Sequence, residues 1–128
     1  AVIEKNTRPV NLDLTTIQLS IIGVVSFLHR LSGVALFFGF LSFVWILDHS
    51  LKSESSFQSL IIQLETPVFK FFLILLVSAF LYHFLAGIKH LLADIFGIGE
   101  TLKSSEILSW LTLFLFFLSF LFSAVFIW

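Results

Sequence analysis

The chain is 128 residues long, 59% hydrophobic and only 12% charged, with a formal net charge of −1. A water-soluble domain of this size needs more polar side chains to cover its surface, and a near-neutral chain offers no footing for a nucleic-acid partner. With no cysteine, disulfides, thiolate-held iron–sulfur clusters, Cys-based zinc sites and covalently attached haem are excluded, so any metal must rest on histidine or carboxylate.

Residues 1–11 are polar, with Lys5 and Arg8, and lack the apolar core of a signal peptide; the first apolar block is therefore expected to direct insertion itself. That block covers about residues 19–47, where only His29 and Arg30 interrupt an uncharged run. The second, residues 71–88, carries a single imidazole, His83, and is preceded by Thr66-Pro67, an N-cap hydroxyl followed by proline at the first helical position. The third, residues 107–128, has no charge. Each is long enough to cross a ~30 Å hydrocarbon core at ~1.5 Å per residue. Three spans cannot close a barrel, and lipid does not tolerate unpaired backbone groups, so the spans must be helical. The expected fold is all-α: one membrane-anchor domain over residues 1–128, with helices at about 19–47, 67–93 and 106–128. The segments between, 48–66 and 94–106, read as polar connections. Lys5, Arg8, Lys89 and Lys103 fall on the side of the N-terminus and Lys52 and Lys70 on the other. Four cations against two place the N-terminus inside and the C-terminus outside.

Ionisable groups at membrane depth are costly, and each is a candidate functional residue. Two clusters carry them. In Ser26-Phe27-Leu28-His29-Arg30-Leu31-Ser32-Gly33, Ser26 and Arg30 are four apart and share a helix face. In the second, His83, Gly87 and His90 form one stripe that runs on to Asp94. Gly87 removes a side chain one turn from His83, the kind of gap a flat, bulky ligand needs. Counted from Lys70 and Asp48 at the outer boundary, His83 lies thirteen residues in and Arg30 eighteen. These are depths of roughly 20 and 27 Å. A b-type haem takes a neutral histidine on its iron and cations at its propionates, which suits an arginine slightly nearer the surface on a neighbouring helix.

Each residue also has a plainer reading. His83 can serve as an interhelical hydrogen-bonding residue, Arg30 as an anchor snorkelling to the headgroups, and Ser26 as a hydroxyl bonded to the carbonyl one turn back. His49 reads as solvated, Lys89 and His90 as interfacial, and Tyr82, Trp45, Trp110 and Trp128 as belt residues. His83 and His90 lie two turns apart, so one iron cannot use both. His29 is the only internal candidate for a second axial ligand, and three helices make an incomplete bundle around a cofactor. Both points imply a second membrane subunit.

At these residues the chain resembles the cytochrome b membrane-anchor subunit of succinate dehydrogenase, the larger of the two anchor chains. The segments that carry the resemblance are residues 8–14 (Arg-Pro-Val-Asn-Leu-Asp-Leu), the Ser26-x-x-His29-Arg30-x-x-Gly33 pattern, and His83-x-x-x-Gly87-x-x-His90-x-x-x-Asp94. The resemblance implies that His83 is an axial ligand of haem b iron, with the other axial histidine supplied by the smaller anchor subunit. It implies that Ser26 and Arg30 line a ubiquinone site, with His29 and Arg30 near the haem propionates. That family usually has arginine where this chain has Lys89, which would lose bidentate contacts. Further implied partners are an iron–sulfur subunit and a flavoprotein subunit docked on the inner face, with Arg8-Pro9 and the 94–106 loop as candidate docking surfaces. The chain itself has no flavin fingerprint and would not oxidise succinate; it is expected in a bacterial cytoplasmic membrane rather than a mitochondrial one. Two alternatives stand beside this: the anchor of a fumarate reductase, and a small channel or transporter subunit. The latter predicts broken helices and charged residues in several depth layers, and the sequence offers neither.

Overall fold

The computed structural model describes Leu12, Asp13, Thr16 and residues 19–128; the docking candidates Arg8 and Pro9 lie outside the described residues. Among the described residues four helices follow in chain order: α1 (Ile21–Lys52), α2 (Glu54–Leu64), α3 (Pro67–Phe96) and α4 (Leu102–Ile127). Three of them, α1, α3 and α4, are long and apolar enough to cross a membrane. The chain is an all-helical integral membrane protein.

The spans outrun the apolar blocks at their polar ends. Beyond Leu47, α1 continues to Lys52, where Lys52 and Asp48 pair at 2.7 Å across one turn. α4 starts at Leu102, because the Thr101 hydroxyl accepts the Ser104 N–H at 3.2 Å and caps the helix. Thr66 stands at the N-cap of α3 with Pro67 just inside, but its hydroxyl does not cap; it donates instead to Gln63 O at 2.7 Å. The connection between α1 and α3 is more ordered than its serine-rich composition implies. Ser53 accepts the Ser56 N–H and starts α2, whose Phe57, Leu60, Ile61 and Leu64 recur with helical spacing, and Leu60 is buried.

α3 is the middle helix, antiparallel to both neighbours. Gly39 meets Leu76 and His29 meets Gly87 and His90 on the α1 side. On the α4 side, Lys89 meets Ser109 and Tyr82 meets Phe116. Buried positions are few and mostly small or polar: Val25, Ser32, Ala86, Lys89, Ser109 and Thr112. Large apolar side chains such as Phe37 (67% exposed) and Phe126 (84%) point away from the helices. This inverts a soluble core, as expected where lipid removes the hydrophobic drive between helices and close packing and hydrogen bonds take its place.

α3 ends at Gly97, whose φ of 66° lies in the left-handed region while its N–H bonds Ala93 O at 2.9 Å. Gly97→Ala should destabilise this corner by about 1–2 kcal/mol, the cost of a side chain in that conformation. A lowered thermal midpoint of the purified protein, with unchanged helical content at 20 °C, checks it.

Candidate functional site

The site is built between α1 and α3. His83 projects from α3 onto the backbone of α1, where its Nδ1 lies 3.1 Å from His29 O and 3.1 Å from Ser32 Oγ. The approach depends on Gly33: a Cβ there would sit 3.1 Å from His83 Cε1. A carbonyl oxygen only accepts, so Nδ1 is the protonated nitrogen of His83 and Nε2 keeps its lone pair. Among the described residues Nε2 has no hydrogen-bond partner.

The His29 ring stacks on that of His83, with centroids 4.2 Å apart and planes 21° from parallel, and lies 5.1 Å from the ring of His90. His29 Nε2 is buried without a hydrogen-bond partner. It occupies the notch beside Gly87, 3.8 Å from where a Cβ would stand. The gap expected there for a flat ligand is thus taken by an imidazole from α1. The stack also excludes His29 as second ligand of an iron on His83, since face-to-face rings cannot put their nitrogens on opposite sides of one metal.

Ser26 and Arg30 share the face of α1 that the spacing predicts. Arg30 is exposed and has no ion pair among the described residues. Ser78, Ser109 and Thr112 each return their hydroxyl to the carbonyl one turn back, at 2.6 to 2.8 Å. Ser26 makes no such bond, so its hydroxyl is free for a ligand. Among the described residues the Ser26 hydroxyl, the Arg30 guanidinium, His29 Nε2 and His83 Nε2 are polar groups of this region left without a protein partner, and their chemistry suits an acidic or carbonyl ligand and a metal-bound ring. Iron in a porphyrin asks the chain for one nitrogen, not a cage. Among the described residues no group of three or more metal-ligating side chains occurs.

A family model described as succinate dehydrogenase/fumarate reductase transmembrane subunit matches residues 4–126. The chain belongs to that family. Among its relatives, a succinate dehydrogenase cytochrome b556 subunit of Coxiella burnetii is 32% identical over 122 residues, covering 94% of this chain and 97% of its own length. The subunits of the same name from Rickettsia bellii and Rickettsia conorii are 38% and 36% identical over 109 and 105 residues, each covering 82% of this chain and 81% of their own. The resemblance to a succinate dehydrogenase cytochrome b anchor is borne out.

Three residues of this anchor differ from their sequence expectations. Lys89 is not interfacial: it is buried between α3 and α4 and donates to Ser109 Oγ at 2.7 Å. The charge therefore points at α4 rather than toward the imidazoles. Tyr82 is not a belt residue; it is 5% exposed, its hydroxyl donates to Val25 O at 2.9 Å, and its ring meets Phe116 edge-on at 5.2 Å. His49 is not solvated. It is half-buried, stacked on Trp45 at 4.8 Å, and its Nδ1 is enclosed. Sequence reasoning also passed over Ser32. Its only signal was its place inside the α1 cluster, three residues beyond His29.

Proposed function

We propose that the chain is the cytochrome b anchor of a succinate:quinone oxidoreductase, a respiratory complex II, binding haem b through His83 and ubiquinone beside Ser26 and Arg30. The observation that carries this reading is His83 held by Nδ1 against the α1 backbone, its Nε2 without a hydrogen-bond partner among the described residues, within a helix long and apolar enough to cross a membrane. The relatives named as cytochrome b556 subunits of succinate dehydrogenase support it, and they favour succinate oxidation over fumarate reduction as the direction of flow.

In this reading the haem supplies a one-electron redox centre beside the route from an iron–sulfur subunit to quinone. The chain's own residues do the rest. His83 Nε2 would hold the haem, and His29 and Arg30 would meet its propionates. Arg30 and Ser26 orient the quinone ring, where a fixed positive charge and a hydroxyl donor stabilise the oxygens as negative charge develops on them. A second small anchor subunit would supply a further histidine to the haem, since His29 is stacked on the His83 ring and His90 lies two turns along α3. Iron–sulfur and flavoprotein subunits dock on the inner face, near the 94–106 loop and the N-terminal segment. The chain thus serves an enzyme as a non-flavin subunit in the bacterial cytoplasmic membrane, with its N-terminus cytoplasmic and its C-terminus periplasmic.

The purified complex should show a b-type reduced-minus-oxidised spectrum in proportion to its flavin and reduce ubiquinone with succinate. An assembly free of porphyrin and indifferent to ubiquinone overturns the proposal.

A further inference from the structure

Ser32 is almost fully enclosed, at 7% exposure, in the layer where α1 and α3 touch. Its hydroxyl carries one proton, and that proton goes to His29 O at 2.8 Å. Oγ therefore faces His83 Nδ1, 3.1 Å away, as an acceptor. The same N–H also lies 3.1 Å from His29 O. The three contacts form a closed triangle in which only one assignment of protons satisfies every group: hydroxyl to carbonyl, and imidazole N–H shared between carbonyl and hydroxyl. A serine satisfied by its own helix would be ordinary; a serine that also receives a ring N–H from a residue 51 positions away does something for that ring.

We propose that Ser32 is a positioning residue for His83: with the His29 carbonyl it fixes the Nδ1–H tautomer, and it raises the donor strength of Nε2 and so tunes the haem potential. The inference rests on the assignment of His83 as axial ligand. Acceptors on the far N–H of a ligating imidazole draw that proton outward and make the bound nitrogen more basic. A more basic ligand favours the ferric over the ferrous ion, so Ser32 holds the potential down. Without Oγ, the His29 carbonyl still keeps the tautomer, and the chain should still bind haem; the change falls on the electronics rather than on occupancy.

The test compares the whole purified complex with Ser32→Ala, Ser32→Cys and Ser32→Thr, reading haem per flavin and the haem midpoint potential by spectroelectrochemical titration. Threonine keeps the hydroxyl and should match the wild type. Alanine and cysteine, a near-isostere whose sulfur is a poor acceptor, should retain haem with the ferric form disfavoured about tenfold, a rise of about 59 mV for a one-electron couple. Wild-type potentials in the alanine or cysteine variants, or a shift in threonine as large as in alanine, overturn the proposal. If the alanine variant does not assemble, the cysteine variant decides. His83→Ala in the same series separates the two layers of inference. Haem retained at full level in that variant removes the ligand assignment itself, whereas haem lost there together with unshifted Ser32 variants removes the role of Ser32 alone.

Discussion

Replacing His83 by alanine should abolish the b-type absorption of the assembled complex while succinate oxidation by an artificial acceptor continues. The expected effect is large because the chain presents one imidazole with the required features. His83 has its Nδ1 tied to His29 O and Ser32 Oγ, its ring seated on Gly33, and its Nε2 left with a lone pair. A substitute from the same chain is not at hand. His29 is locked in the face-to-face stack, and His90, a further two turns along α3, is exposed. The helices themselves should survive, since the pinning contacts between Tyr82 and Val25 and between Lys89 and Ser109 do not involve the imidazole. The measurement is a reduced-minus-oxidised spectrum of membranes containing the whole complex, normalised to flavin. A band of unchanged intensity would move the ligand to another residue.

Arg30→Leu should lower ubiquinone reduction by about 10²-fold, the scale on which removal of one charge-stabilising donor acts. Electron delivery from succinate to an artificial acceptor should stay near the wild-type rate. Arg30 is exposed on α1 and unpaired among the described residues, one residue from His29 and one turn from the free Ser26 hydroxyl. An arginine kept without a counter-charge at this depth is explained by a ligand that brings the negative charge itself. Arg30→Lys should fall between the two, because an ammonium retains the charge but not the planar fork of donors. Equal loss in both assays would take Arg30 out of the quinone site and make it a residue of assembly.

The spans were legible because uncharged runs of this length have few alternatives in physics. α2 was not: its eleven residues are rich in serine and fall between two blocks, and its apolar set becomes visible only when Phe57, Leu60, Ile61 and Leu64 are read at helical spacing. Within the site, the stripe of His83, Gly87 and His90 was legible because residues three and four apart lie on one helix face. What filled the notch at Gly87 was not, since the register between α1 and α3 is written in no local pattern. The same gap explains Ser32, Tyr82 and Lys89. Tyrosine and lysine near a membrane boundary read as interfacial by composition and a serine within a span carries no signal of its own, and only the docking of α3 between α1 and α4 turns the three to Val25, Ser109 and His83.

The middle position of α3 divides its circumference. Leu76, Phe80, His83, Gly87 and His90 turn to α1, while Leu81, Leu85, Lys89 and Leu92 turn to α4, and Val77 borders both. The two sets interleave along the sequence and are joined at Tyr82, which bonds Val25 O of α1 and meets Phe116 of α4, so residues adjacent in number serve different neighbours. An insertion of a single residue midway along α3 would turn every later side chain by about 100° and take both sets off their partners at once.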